Sequence, residues 1–241
     1  MRPSLERYVV DFLDGEGKTT SEIARRTGIP RTTVRDWLRR PIMADPSRLV
    51  AEIPTPLAAE YAYLLGMYLG DGCISRDRRC HRLRIATDAA YPGITAECAR
   101  AMQAVVPRNR VSVRRRKDGS RTVDVSAYSK SWPSLFPQHG TGRKHERRIA
   151  LAKWQERIVE DEPEMFLRGL IHSDGCRVLN RVNGRAYPRY LFSQRSADIS
   201  EIFSGACRRL GVTVSAAGRH QLSIGRRADV AFVDGFVGPK V

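Results

Sequence analysis

The sequence predicts an α+β protein in which two pseudo-symmetric halves follow a small all-α domain. Three observations predict this architecture. An apolar run that ends in Asp-Gly occurs twice, over 64–72 and 167–175, and its two aspartates lie 103 positions apart. After each copy, stretches with strand and helix periodicity follow in the same order. The first 40 residues instead contain three short helical patterns.

The N-terminal region, 1–40, combines three short helices with two turns. The second helix covers about 21–26, and a turn over 27–30 precedes a third helix over 31–40. This spacing resembles a helix-turn-helix, whose last helix would lie in the major groove of DNA. Its candidate contacts are Arg31, Thr32, Thr33, Arg35 and Asp36, while Arg25, Arg26, Arg39 and Arg40 would reach phosphates. The alternative is a packing module with a basic solvated face.

Prolines interrupt the chain after this region, at Pro41, Pro46, Pro54 and Pro56. Little helical or alternating pattern surrounds them, so 41–56 is predicted to be a linker. The second domain is then expected over 57–241, in halves of about 57–145 and 146–241.

Each half is predicted to have the order αββαββα. The first half has a motif helix over 57–69, strands at 73–78 and 82–87, a helix over 91–105, strands at 110–116 and 121–128, and a helix near 131–136. The second half has a motif helix over 163–173, strands at 176–182 and 190–194, a helix over 197–210, strands at 212–216 and 221–224, and a helix over 227–236. The repetition predicts two four-stranded sheets.

Small residues stand four positions apart in each motif, Gly66 and Gly70 in the first and Gly169 and Ser173 in the second. Residues four apart share a helix face. Two such faces can pack backbone against backbone, which offsets the cost of about 1 kcal/mol for each helical glycine. The two motif helices are therefore predicted to contact each other directly.

Asp71 and Asp174 follow the last small residue of each motif, so this packing would bring two carboxylates together. Their repulsion is tolerable when a divalent cation lies between them. Hard oxygen ligands of this kind suit Mg²⁺. Gly72 and Gly175, which follow them, are expected to end the helices in a left-handed conformation.

Composition points to a polyanionic partner. The 241 residues include 42 Lys and Arg against 26 Asp and Glu, a formal net charge of +16. Nucleic acid is the expected partner. No apolar run approaches the roughly 20 residues of a membrane span, and the N-terminus lacks the pattern of a signal peptide, so a cytoplasmic location without membrane contact is expected. Five cysteines without a Cys-x-x-Cys pair argue against disulfides and zinc.

The doubled motif resembles the LAGLIDADG homing endonuclease family in its single-chain, two-motif form, over about 57–241. The second copy is the closer match, and the first departs at Tyr68-Leu69. The resemblance implies a DNA-binding saddle with the motif helices at its centre, and a monomer that cleaves both DNA strands with two or more Mg²⁺ ions held by Asp71 and Asp174.

The resemblance also implies supporting polar residues in each half. A Gln at the end of the second strand and a Lys after the last helix are family features, matched by Gln194, Lys144 and Lys240. Asp88 stands in the position that corresponds to Gln194, a departure that predicts unequal cleavage by the two halves. No small-molecule cofactor is expected.

Arginines are concentrated in the predicted hairpins, where alternate side chains would form a ladder of DNA contacts. The candidates in the first half are Arg76, Arg78, Arg82, Arg84, Arg114 and Arg116, and those in the second are Arg177, Arg181, Arg185, Arg189 and Arg195. For most of them taken singly, a solvated strand face is the alternative.

Three functions share these features. The first is a sequence-specific, Mg²⁺-dependent endonuclease for double-stranded DNA. The second is a transcriptional regulator that retains the fold for DNA binding without cleavage, and the third is an RNA-binding maturase. The presence of both aspartates favours the endonuclease, and the helix-turn-helix favours duplex DNA over RNA.

Overall fold

Three short helices form the N-terminal domain in a computed structural model that describes residues 5–39, 55–238 and 240. They are α1 (Leu5–Gly15), α2 (Thr20–Thr27) and α3 (Arg31–Arg39). Val10, Ile23 and Val34 form their fully buried core. Gly28 ends α2 with φ 69°, a left-handed conformation that favours glycine. The helical N-terminal region is thus confirmed. Arg40 and most of the predicted linker lie outside the described residues.

The first half of the second domain begins with α4 (Thr55–Asp71), two residues earlier than predicted. It continues through β1 (Gly72–Asp77), β2 (Cys80–Asp88), α5 (Pro92–Val105), β3 (Val111–Arg115), β4 (Thr122–Ser129) and α6 (Trp132–Leu135). All strand pairs are antiparallel, in the order β1-β2-β4-β3.

The second half repeats this order after a connection that contains a 3-10 turn (Lys144–Glu146) and α7 (Lys153–Asp161). Its elements are α8 (Pro163–Asp174), β5 (Gly175–Val182), β6 (Arg185–Ser193), α9 (Ala197–Arg209), β7 (Ser215–Gly218), β8 (Gln221–Ile224) and α10 (Arg227–Val237). The second sheet has the order β5-β6-β8-β7. The predicted fold class, with two four-stranded antiparallel sheets, is confirmed.

The helix α7 was not predicted from the sequence, although its pattern of apolar residues is helical. Trp154 and Ile158 lie four positions apart, and Ile158 and Val159 are buried. Buried Gln155 donates a hydrogen bond of 2.7 Å to the Tyr61 hydroxyl of α4. The helix therefore connects the two halves through a polar contact as well as through apolar packing.

The motif helix α4 lies at the centre of the hydrophobic core. All residues from 61 to 69 are buried. Leu83, Ile85 and Val125 cover it from the first sheet, and in the second half the rings of Phe192 and Phe203 stack with centroids 4.1 Å apart. Among the residues that the structure describes, the helices thus cover one face of each sheet, and the other face, called the free face below, is not covered by a helix. Within the described ranges, no helix has both the length and the apolar character needed to cross a membrane.

Candidate active site and nucleic-acid interface

The two motif helices, α4 and α8, pack backbone against backbone. A Cβ atom built at Gly66 would lie 2.6 Å from the Phe166 carbonyl oxygen and 2.6 Å from the Leu170 nitrogen. One built at Gly169 would collide with the Tyr63 carbonyl oxygen and lie 3.1 Å from the Gly66 Cα. Contacts of this kind leave no room for a side chain. The predicted direct packing of the two helices is confirmed by these distances.

At the ends of α4 and α8 the same close approach continues. A Cβ atom at Gly70 would collide with Ser173 and lie 2.9 Å from the Asp174 Oδ2 atom. The prediction of left-handed helix ends at Gly72 and Gly175 is wrong, since Gly175 is extended and neither glycine has a positive φ. Their missing side chain serves packing instead, because a Cβ at Gly72 would lie 2.6 Å from the Tyr68 Cα.

Asp71 and Asp174 end the two packed helices, and their carboxylates interact. Desolvation, together with the charge of Asp71, raises the pKa of Asp174 to about 7. The pKa of Asp71 is also raised by desolvation, although its side chain still reaches solvent through a cleft. The Gln194 Nε2 atom donates a hydrogen bond of 2.6 Å to the Asp174 Oδ2 atom. The helix ends therefore hold two carboxyl groups that resist ionisation together.

A lysine caps the C-terminus of each motif helix. The Lys144 ammonium donates to the carbonyl oxygens of Tyr68, Leu69 and Gly70, the last two at 3.0 Å. Lys240 donates to the carbonyl oxygens of His172, at 3.1 Å, and Gly175. Positive charge at a helix C-terminus is favourable because the last carbonyls lack helical partners. Desolvation lowers the pKa of Lys144 to about 8, and the two aspartates oppose that shift.

Two clefts flank the packed helix ends, and each contains residues from both halves. One cleft, of about 320 Å³, contains Asp174 and Gln194 with Lys144. The other, of about 210 Å³, contains Asp71 and Asp88 with Lys240. The amide of Gln194 in the first cleft thus corresponds to the carboxylate of Asp88 in the second.

The side chain of Asp88 is already engaged at the edge of its cleft. It pairs with Arg121 at 3.1 Å and accepts a 2.9 Å hydrogen bond from the Ala90 N–H. The backbone contact and the Arg121 contact lower the pKa of Asp88. An ionised carboxylate only accepts hydrogen bonds, so Asp88 cannot donate to Asp71 as Gln194 donates to Asp174.

A divalent cation fits this donor set. Mg²⁺ in proteins is held by one or two carboxylates, with waters and substrate phosphates as the other ligands. Asp71 and Asp174 provide two carboxylates whose mutual repulsion a cation would relieve. No group of three or more His, Cys, Asp or Glu side chains converges among the residues that the structure describes.

A network behind Lys240 was not found from the sequence. Arg168 pairs with Glu97 at 2.7 Å and donates to the carbonyl oxygens of Phe236 and Val237. His172 also contacts the Val237 carbonyl oxygen, at 3.2 Å. These contacts fix the end of α10, which leads to Lys240. The only sequence signal was the charge of Arg168 inside an apolar motif.

The free faces of the two sheets carry fewer of the predicted arginines than expected. A two-residue turn pairs even positions of β1 with odd positions of β2, so Arg76 lies opposite His81 while Arg82 lies opposite Ser75. Leu83 and Ile85 of β2 are buried against the helices, so the alternating residues Arg82 and Arg84 lie on the opposite face of the sheet. Arg76 lies opposite His81, which is on the same face as Leu83, so Arg76 lies on the helix side of the sheet. Arg78 lies in the turn itself, with φ 40°.

The second sheet shows the same inversion. Arg177 lies opposite buried Tyr190 and pairs with Asp234 of α10 at 2.7 Å. Arg181 shares that helix-side face. The prediction that Arg76, Arg177 and Arg181 join one ladder is therefore wrong. The arginines on the free faces are Arg82, Arg84 and Arg114 with Arg116 in the first sheet, and Arg185 and Arg189 in the second. Arg195 follows the end of β6.

Two further side chains on the first free face were missed. Tyr128 is 45% exposed, and the Arg82 guanidinium lies 5.9 Å from its ring centroid. Asp124 pairs with Arg116 at 2.9 Å, which offsets part of the positive charge there. In the N-terminal domain, α3 exposes Arg31, Thr32, Arg35, Asp36 and Arg39, while Thr33 is half-buried.

Comparisons with known proteins agree with this description. Residues 6–41 match the family model of a homeodomain-like domain. The structure of I-DmoI in complex with DNA and Ca has a TM-score of 0.53 and 19% identity, covering 76% of this chain and 91% of that chain. Variants of the homing endonuclease I-DmoI give a TM-score of 0.52 and 18% identity, covering 76% and 97%. The chain therefore has a LAGLIDADG-like fold behind a homeodomain-like helical region.

The N-terminal LAGLIDADG domain of WhiA is 13% identical, with a TM-score of 0.49, covering 99% of this chain and 95% of that chain. A TM-score below 0.5 does not define a shared fold. No protein of curated function shows significant sequence similarity to this chain.

Proposed function

We propose that this protein is a sequence-specific endonuclease that cleaves double-stranded DNA with Mg²⁺. The observation that carries the proposal is the pair Asp71 and Asp174, presented together by helices that pack without intervening side chains. Desolvation and the charge of Asp71 raise the pKa of Asp174 to about 7, and a divalent cation would relieve this repulsion. The similarity of the fold to I-DmoI, a homing endonuclease solved in complex with DNA and Ca or Mn, supports the same proposal.

The two aspartates would hold the divalent ions. Such ions, when bound, supply Lewis acidity and a nucleophilic water at neutral pH. Gln194 orients Asp174 through its 2.6 Å hydrogen bond. Lys144 and Lys240 place a positive charge in each cleft, and at pH 7 Lys144 remains protonated because its pKa is about 8. Each lysine would thus offset negative charge that develops on a phosphate.

The free faces of the two sheets would bind the duplex on either side of these clefts. Their arginines supply phosphate contacts and base contacts, and the net charge of +16 favours association with DNA. Exposed residues of α3 would add a second set of contacts in the major groove.

A transcriptional regulator without cleavage activity is the second candidate. It is favoured by the lysines, because Lys144 and Lys240 each already donate to the last carbonyls of a motif helix. Helix capping accounts for their presence without any catalysis. In this reading Asp71 and Asp174 only end the helices, and the DNA-binding surfaces are the same.

The test is a selection from a randomised duplex library, run in parallel for binding in Ca²⁺ and for cleavage in Mg²⁺. The endonuclease predicts that the bound consensus is also cut, with a fixed stagger between the strands. A bound consensus that Mg²⁺ leaves intact would assign the protein to the regulator class. Failure to enrich any duplex would contradict both candidates.

A further inference from the structure

The N-terminal domain shares its first helix with the hydrophobic core of the second domain. Val10 of α1 lies in the small core with Ile23 and Val34, but its neighbour Val9 is buried in the large core. Leu13 packs against both cores. The guanidinium of Arg157, in α7, lies 5.9 Å from the centroid of the Phe12 ring. The two domains are therefore joined by a continuous apolar contact.

The turn that precedes α3 is held against the segment that leads into α6. A Cβ atom at Gly28 would lie 3.0 Å from the Lys130 carbonyl oxygen, so the two backbones touch. The Ser134 hydroxyl donates a 3.3 Å hydrogen bond to the Thr27 carbonyl oxygen. Ser131 donates a further hydrogen bond to the Glu6 carboxylate of α1. Polar and backbone contacts thus fix the orientation of both α1 and α2.

The position of these contacts in the chain matters for DNA recognition. The docked turn at Gly28 is three residues before Arg31, the first residue of α3. The orientation of α3 relative to the first sheet is therefore set by the docking of α1 and α2, the two helices with which α3 shares its small core. A module on a flexible linker would have no such constraint.

We propose that the protein binds one bipartite duplex site, in which the segment contacted by α3 lies at a fixed distance and helical phase from the segment contacted by the two sheets. The inference rests on the proposed DNA binding and adds its geometry. A rigid connection between two groove contacts makes the spacing of the two segments part of the recognised sequence. The recognised site is consequently longer than the segment under the sheets.

The test uses the wild-type protein and the consensus selected in Ca²⁺. The consensus is expected to have two conserved segments, and inserting 5 or 10 base pairs between them should weaken binding at least about tenfold, which is comparable to the loss of a few specific contacts. Five base pairs change the helical phase by about half a turn, and ten restore the phase at a longer distance. A consensus with one segment, or equal binding of all three spacings, would overturn the inference but leave DNA binding intact.

A variant that disturbs the contact between the two domains tests whether their rigid docking causes the dependence of affinity on spacing. Ser134→Arg places a long side chain against Thr27 and should reduce the difference in affinity between the original and the lengthened sites. Ser204→Arg, at a half-buried helical serine of the second half, is the matched control and should retain the full difference. If both variants retain the wild-type spacing dependence, docking at Ser134 does not set the spacing. A protein that binds no duplex would instead refute the proposed function.

Discussion

The environment of Asp174 shows how the site changes the ionisation of a carboxyl group. Its carboxyl group is desolvated, accepts one hydrogen bond from Gln194 and faces the charge of Asp71. The amide contact alone does not offset the loss of water, so the proton is retained up to about pH 7. In the absence of divalent ions, this carboxyl group therefore opposes folding at higher pH.

The first prediction concerns stability measured with a chelator present. Because the folded-state pKa of Asp174, about 7, exceeds the ordinary value of 3.8, the contribution of this group to stability is complete below about pH 4 and lost as the pH rises through 7. Asp174→Asn should therefore stabilise the protein more at pH 8 than at pH 5, by on the order of 2 kcal/mol. Urea unfolding at the two pH values measures this, and an equal effect at both would contradict the assigned environment.

Asp88 and Gln194 make the two clefts chemically different. Gln194 donates to its aspartate, whereas Asp88 is paired with Arg121 and cannot. Groups that orient metal ligands typically change activity by about 10–100-fold. The two strands of the target should therefore be cut at rates that differ by about tenfold.

Single-turnover cleavage with each strand labelled separately measures this difference. Asp88→Gln should bring the two rates closer together. Gln194→Asp should slow cleavage of the strand that is cut in the cleft containing Gln194 and Asp174. Equal strand rates in the wild-type protein would show that these two residues do not control cleavage.

The contact between α4 and α8 is the element on which the site depends. Glycines at positions 66 and 169 let the backbones touch, and this contact brings the two helix ends close together. Not every helical glycine has this role. Gly205, inside α9, has no atom within 4 Å of a Cβ built on it.

These glycines provide a matched pair of variants. Gly169→Ala should destabilise the protein by about 2–3 kcal/mol or more, because the new methyl group collides with the Tyr63 carbonyl oxygen. Gly205→Ala should stabilise it by up to about 1 kcal/mol, because alanine is the better helix former and its methyl group meets open space. Chemical denaturation measures both, and a destabilisation of equal size would contradict the role assigned to Gly169.

Features of the helices and strands could be predicted from the sequence where they depend on neighbouring residues in the chain. The spacing of Gly66 and Gly70 is visible in the chain and predicts helix contact, whereas the face of each arginine depends on the length of a turn. Asn183-Gly184, with φ values of 51° and 75°, is a typical signal for a two-residue hairpin turn. A two-residue turn at these positions pairs Arg177 with Tyr190 and Arg181 with Ala186, which places both arginines on the helix-side face.

In the whole molecule, positive charge is divided between the free faces of the two sheets, where we propose that DNA binds, and the rest of the surface. Arg84 lies on the free face of the first sheet, and Arg181 lies on the helix-side face of the second. Only charge near the duplex releases counterions on binding. If DNA binds to the free faces, the net charge of the chain overstates the number of basic residues that contact it.

A comparison of these two arginines tests the assignment of faces. Arg84→Ala should weaken binding in Ca²⁺ and reduce the slope of log K against log salt by about 1. Arg181→Ala should leave the slope unchanged. Titrations at several salt concentrations measure both, and equal effects would mean that the sheets bind DNA by another face.

The relative placement of the two domains could not be predicted from the sequence. The prolines of 41–56 suggested a simple linker, but the contacts of Gly28 and Ser134 join residues more than 100 positions apart. Such contacts leave no periodicity in either segment. The close approach of Asp71 and Asp174 was easier to predict, because both belong to a repeated motif, whereas Glu97, the partner of Arg168, lies outside both copies of the motif.

The proposal that Asp71 and Asp174 hold divalent ions for cleavage can be tested by comparing DNA binding with strand breakage in one experiment. The selected duplex is incubated with wild-type protein or with Asp71→Asn/Asp174→Asn, in Mg²⁺ and in Ca²⁺, and both binding and strand breaks are quantified. We expect both proteins to bind with similar affinity, within about a factor of ten, and we expect only the wild-type protein to cut, in Mg²⁺. Cleavage by the double variant, or binding by the wild-type protein without cleavage in Mg²⁺, would contradict the proposal.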